Sequence, residues 1–205
     1  MTAERTYRCD ALDKKGPIET VHFILSQNPH IQMVNFWNYC YVPLMTNESN
    51  SRSFWETRTN ILCRPTVDFV PQDERDKFQT GIGSKVFLSS GETAQIPMMD
   101  FQIAKSNENL ELLRKRLNHV GIESGWILET GESYHFYGNT LIHTQEEWMD
   151  FIGKCLLASI VNSRDNIQQI ADSRYIGHSL RRGCCVLRLT SHGDKTYSPK
   201  VVARI

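Results

Sequence analysis

The sequence has no surplus of either charge: 23 Lys and Arg balance 23 Asp and Glu over 205 residues. A protein that grips long stretches of duplex through phosphates is usually basic overall. Any nucleic-acid contact must therefore come from a local patch, or from a further domain or chain. No apolar run approaches the roughly 18–20 residues of a membrane helix. The opening residues, MTAERTYRCDALDKKGP, mix charges of both signs and lack the apolar core of a secretion signal. These absences predict a cytoplasmic protein with no membrane partner. None of the six cysteines (Cys9, Cys40, Cys63, Cys155, Cys184, Cys185) forms a Cys-x-x-Cys pair. Adjacent Cys184 and Cys185 suit neither an ordinary disulfide nor a zinc knuckle, so reduced cysteines are expected, several in core strands. Repeats and low-complexity tracts are also missing.

What is present is an ordinary folded-domain composition, 40% hydrophobic and 22% charged, long enough for one large domain. The N-terminal third offers a short helix or strand at 21–25 and a β-type run at 30–44. It continues with a polar loop at 46–53, a strand at 61–70 and a charged connection at 71–84. Residues 96–103 read as a short apolar strand interrupted by one acid. Apolar residues at 110, 112, 113, 117 and 120 then repeat with helical spacing, and Gly121 follows as a natural C-cap. Segments 125–129 and 133–137 form a hairpin signature around a Thr-Gly-Glu turn. Thr144 opens a capping box, and Trp148, Phe151, Ile152, Cys155, Leu156 and Ile160 make an apolar helix face. A last strand is expected at 184–189. The order β-α-β-β-α-β predicts an α+β fold of ferredoxin-like type, an antiparallel sheet with two helices on one face and the other face open.

Three segments carry chemistry. Asp100 stands inside an apolar strand, where a lone carboxylate is unfavourable unless paired or metal-bound. Ser133 and His135 are two apart on a strand, so both leave the same face and suit phosphate oxygens, while Tyr134 and Phe136 point into the core. Asp172 introduces a run containing Arg174, His178, Arg181 and Arg182, which leads to Arg188 in an apolar strand. An unpaired guanidinium there would be costly, which calls for an anion such as a triphosphate.

Together these segments resemble the three motifs of the archaeo-eukaryotic primase superfamily, the primase-polymerases. Asp100-Phe101-Gln102 matches in part an acid-x-acid motif, Ser133-Tyr134-His135 matches Ser-x-His, and the run from Asp172 to Arg188 looks like the third motif. The resemblance covers about residues 84–205. It implies a single domain over 1–205, with an RRM-like palm at 84–205 and an N-terminal α/β accessory layer at 1–83. It further implies a metal-dependent nucleotidyltransferase that makes or extends a primer in DNA replication. Asp100 and Asp172 would hold Mg²⁺ or Mn²⁺, with Gln102 as a weak or outer-shell ligand. Ser133, His135, Arg188, His178 and Arg182 would bind the nucleoside triphosphate. A DNA or RNA template-primer, and further domains or chains, would be partners. Gln102 departs from the family, which keeps a carboxylate there, and an amide adds no charge for a second ion. The alternative is a catalytically degenerate module that binds nucleotide or nucleic acid without turnover. An unrelated RNA-binding sheet would want exposed aromatics on the strands that here carry Asp100, Ser133 and His135.

Overall fold

The computed structural model describes residues 16–40, 51–64, 69–70, 74, 77–163, 166–191 and 197–205. Pro17 in the first turn suits the start of α1 (Pro17–Gln27), because proline lacks only an N–H that would be unpaired there. Strands β1 (Ile31–Tyr39) and β2 (Arg52–Thr57) follow, then a short α2 (Arg58–Cys63) capped by the Thr57 hydroxyl. Next come β3 (Gln79–Leu88), β4 (Thr93–Gln95) and β5 (Met98–Phe101). Helix α3 (Asn107–His119) starts on a Ser106 cap, and Gly121 just beyond its end has a positive φ. The hairpin β6 (Gly125–Glu129) and β7 (Tyr134–Gly138) is followed by α4 (Gln145–Leu157), whose Thr144–Glu147 capping box is formed in both directions. A small ribbon, β8 (Ile160–Ser163) and β9 (Asn166–Gln168), leads to α5 (Ser173–Arg182). Asp172 caps the start of α5, and Gly183 ends it in the left-handed conformation that glycine adopts without a Cβ clash. Strands β10 (Val186–Arg188) and β11 (Lys200–Arg204) complete the chain.

The strands form two main antiparallel sheets. The first has the order β10-β3-β1-β2, with β4 also on β3, and the second has the order β11-β6-β7-β5. Sequence and structure agree on a mixed α+β fold consistent with a ferredoxin-like palm. They differ on its fourth strand. The expected last strand, β10, pairs with β3 in the first sheet. Its place beside β5 is taken by residues 170–172, through an antiparallel bridge between Phe101 and Ala171. An apolar run identifies a strand but not its partner.

Other boundaries moved for local reasons. Residues 52–53 begin β2, an edge strand polar enough to read as loop, and 79–84 belong to β3, where Gly81 and Gly83 mimic a turn. Ile61 to Cys63 finish α2 instead of starting a strand. Ile160 lies beyond α4, in β8. The 41–44 end of the first β run, 46–50 of the polar loop, 65–68 and Cys9 lie outside the described residues. The five described cysteines, Cys40, Cys63, Cys155, Cys184 and Cys185, are free thiols.

The core joins both sheets. Phe23 of α1 meets Trp126 of β6 edge-on at 5.0 Å, and Phe136 of β7 stacks on Phe151 of α4 at 6.2 Å. Each such side chain contributes about 1.5–3 kcal/mol by leaving water. Within the first sheet, the buried Ser84 hydroxyl of β3 donates to Gln95 Oε1 of β4 at 2.6 Å and accepts from the Cys185 amide, just before β10, at 2.9 Å.

Candidate functional site

Register sets one row of side chains across the second sheet. His135 pairs with Leu128 on one side and with Asp100 on the other. The Asp172 amide donates to the Asp100 carbonyl at 3.0 Å, next to the Phe101–Ala171 bridge. Asp172, Asp100 and His135 therefore stand in sequence on three neighbouring segments. His135 Nε2 lies 3.7 Å from Asp100 Oδ1. Two like charges directly across an antiparallel pair are unfavourable unless positive charge balances them. Part of that balance is visible: Asp172 Oδ1 accepts from the Arg174 and Tyr175 amides, at 2.8 and 3.1 Å, at the positive end of α5.

The sheet face carrying this row is covered, contrary to the open face expected. All of β7 is buried, with His135 at 5% exposure, while the Asp100 side chain keeps 30%. Tyr134, Phe136 and Ile127 turn toward the helices, as the Phe136–Phe151 stack shows. His135, Tyr137 and Trp126 turn the other way, and Phe23 of α1 covers Trp126. Tyr137 is the residue missed in the sequence. It is two positions beyond His135, so the same alternation that selected Ser133 and His135 selects it too. Its hydroxyl is buried, lacks a hydrogen-bond partner among the described residues, and is pushed far above the usual phenol range by burial. Tyr39, Arg188 and Asp100 all lie within electrostatic reach of it.

Arg188 is 8% exposed on β10, beside this row. Its guanidinium was expected to need an anion, but carbonyls satisfy it. It donates to Thr190 O at 3.0 Å, Tyr197 O at 2.6 Å and Thr130 O at 3.2 Å. Carbonyls accept hydrogen bonds without cancelling charge, so a full positive charge stays behind Asp100. Burial lowers the Arg188 pKa, and Tyr39 and Asp100 counter that effect.

Ser133, expected to start the strand, instead stands just before β7, half-buried, its hydroxyl 3.1 Å from that of Thr130. His178 and Arg182 lie one turn apart on α5. Arg182 Nε donates to the His178 carbonyl at 3.3 Å, and its guanidinium sits 5.8 Å from the Trp37 ring centre. The Gln102 amide nitrogen donates to the carbonyls of Gln169 and Ala171, at 3.1 and 3.4 Å. Only its amide oxygen could then meet a metal. Neither Glu129 nor Glu92 takes the vacated role. Glu129 binds Lys105 at 2.8 Å and Tyr197 at 2.7 Å on the helix side, and Glu92 engages Ser90 in a turn. A separate polar depression of about 900 Å³, lined by His30, Ser89, Asn139 and His143 among others, shares no residue with the acid row. No helix among the described residues is long and apolar enough to cross a membrane.

A family model described as archaeo-eukaryotic primase 1D-like, AEP-like, matches residues 70–202. No curated protein and no solved structure matches the chain.

Proposed function

Because the chain belongs to the archaeo-eukaryotic primase 1D-like family, we propose that it is a metal-dependent nucleotidyltransferase domain working at the Asp172–Asp100–His135 row. It takes a nucleoside triphosphate and a nucleic-acid template-primer. The observation that carries this reading is the pairing of two carboxylates in register, with a histidine beside them and a buried arginine behind.

Proteins of this family generally use divalent metals. Opposed acids that repel each other suit one Mg²⁺ or Mn²⁺ ion, with Asp100 and Asp172 as ligands and phosphate oxygens completing the shell. When bound, the ion supplies charge neutralisation at the phosphate under attack. The residues do not fit a second ion. Among the described residues no group of three His, Cys, Asp or Glu is placed to hold a metal, so even the first ion would draw part of its shell from phosphate oxygens.

The remaining roles belong to the chain itself. His135 and Ser133 donate to phosphate oxygens, and the N-terminus of α5 favours negative charge beside Asp172. His178 and Arg182 extend the basic lining along α5. Arg188 attracts the triphosphate through its field, held in place by carbonyls. The covered sheet face excludes water and strengthens each of these interactions.

A second reading, a binding module without turnover, is favoured by the Gln102 amide being tied to backbone instead of replaced by a carboxylate. Primer extension on a primed template, with Mg²⁺ and with Mn²⁺, decides between them. Product from the parent and none from Asp100→Asn supports the transferase. Metal-dependent triphosphate binding with no product in either metal supports the module. Absence of both overturns the site.

A further inference from the structure

The first sheet has a face that the proposed chemistry does not use. Alternation and register place Trp37 and Tyr39 of β1, Trp55 of β2, and Lys85 and Phe87 of β3 on the side opposite Phe36 and Ile82. Trp55 is 40% exposed on the edge strand β2, and Phe87 37% on β3. Trp37 and Trp55 are diagonal neighbours, since Trp37 pairs with Ser53 and Asn35 with Trp55. Such positions lie about 7–8 Å apart, room for each ring to take a separate base.

The rings are held ready. Trp37 Nε1 donates to Asn35 Oδ1, which fixes the indole. Glycines keep the floor low beneath it: a Cβ at Gly83 would fall 2.5 Å from Asn35 Oδ1 and 3.0 Å from Trp37 Nε1. A fixed aromatic loses little freedom when a base stacks on it.

Charge points to the same ligand. The chain is neutral overall, yet no Asp or Glu stands at the positions of β1, β2, β3 or β10 on this side. Its charged members are the half-buried Lys85 and, at the far end, Arg188, which is 8% exposed and acts through its field. At its rim, Arg182 lies over Trp37, and Gly183 of α5 approaches Lys85. The face also runs into the acid row. Ser53, Trp37, Gly81 and Arg188 form one cross-strand line, and Arg188 neighbours Asp100. A neutral protein that interleaves aromatics with cations on one sheet face has the surface of a single-strand binder, where bases stack and phosphates meet the cations.

We infer that this face binds single-stranded nucleic acid by base stacking on Trp37 and Trp55, and leads the strand toward Arg188. That the strand serves as template rests on the transferase reading; the binding itself does not.

The test titrates the protein with labelled oligomers of roughly 12 nucleotides, oligo-dT and oligo-U, against a duplex of equal length. Tryptophan emission is followed in parallel. Single strands of one or both sugars should bind and quench emission, and the stronger arm names the preferred strand. Trp55→Ala should weaken binding roughly tenfold, while Trp55→Phe, which keeps a ring, should stay near the parent. Triphosphate binding should be unchanged in both variants, which also shows that they fold. Equal affinity in Trp55→Ala, duplex binding as tight as single-strand binding, or no binding of either oligomer overturns the platform. Oligomer binding without triphosphate binding would leave the platform standing and remove the transferase; the converse would do the reverse.

Discussion

The side-chain amide of Gln102 donates to the backbone carbonyl of Gln169 at 3.1 Å and reaches that of Ala171 at 3.4 Å. The same residue's backbone amide donates to Ile170 at 2.8 Å. Gln102 thus fastens the short segment that stands in for the palm's fourth strand, and this segment delivers Asp172 to the row. Gln102, read in the sequence as a weak or outer-shell metal ligand, is also a clasp for the segment that carries Asp172.

Gln102→Glu should therefore fail to restore a two-metal site. A carboxylate would face two carbonyl oxygens, losing the bonds and adding repulsion, at about 1–3 kcal/mol of stability. Urea unfolding should show the loss, and calorimetry should show weaker Mn²⁺ affinity than the parent. Stronger Mn²⁺ binding at unchanged stability would mean that the clasp is unimportant.

Arg188→Ala should damage the fold as well as the site, against the expectation that its partner would be a ligand alone. The substitution leaves the carbonyls of Thr130, Thr190 and Tyr197 without this donor. A loss of about 3–5 kcal/mol is expected, the scale for removing one member of a buried charged network. Arg188→Lys should recover only part of it, because one ammonium cannot reproduce the planar fork. Chemical denaturation of both variants checks this.

Asp172 combines a cap with a charge, and two substitutions separate them. Asp172→Asn keeps a good N-cap and should hold stability near the parent, while metal-dependent triphosphate binding drops. Asp172→Ala should lose the binding and also about 1 kcal/mol of stability. Triphosphate binding by Asp172→Asn equal to the parent would remove Asp172 from the ligand set.

Acid should act partly through Glu129. Burial pushes its carboxyl up, but bonds from Lys105 and Tyr197, with the nearby Lys200 charge, outweigh this and leave it below the ordinary carboxylate value of 4.5. A carboxylate depressed in the folded state stabilises at pH above its unfolded value. That contribution is lost as pH falls from about 4.5 through the folded value. Unfolding followed across this range should show a shallower acid decline in Glu129→Gln than in the parent.

The sequence made local features legible and hid the distant ones. The caps of α3 and α4 and the β6–β7 hairpin are written in residues a few positions apart. Asp100 and His135 stood out as polar groups in apolar strands, and Asp172 as the acid that opens a basic run. Glycines disguised β3, since a residue that permits close approach has the same signature as a turn. The partner of β10 and the carbonyls around Arg188 were invisible, because each depends on chain far away in sequence. Tyr137 was readable but passed over, since a tyrosine among apolar residues looks like core.

The β3–β10 pairing bears on when the site comes into being. Gly81 and Arg188 pair across more than a hundred residues, and Arg188 then bonds to Tyr197, further along the chain still. Closing so long a loop is entropically costly, and pairings of this kind form late and slow folding. The β6–β7 hairpin and the capped helices can assemble from short stretches as soon as they exist. Arg188 joins Asp100 only after the chain through β10 has been made, so the positive side of the acid row is built after the hairpin and the capped helices.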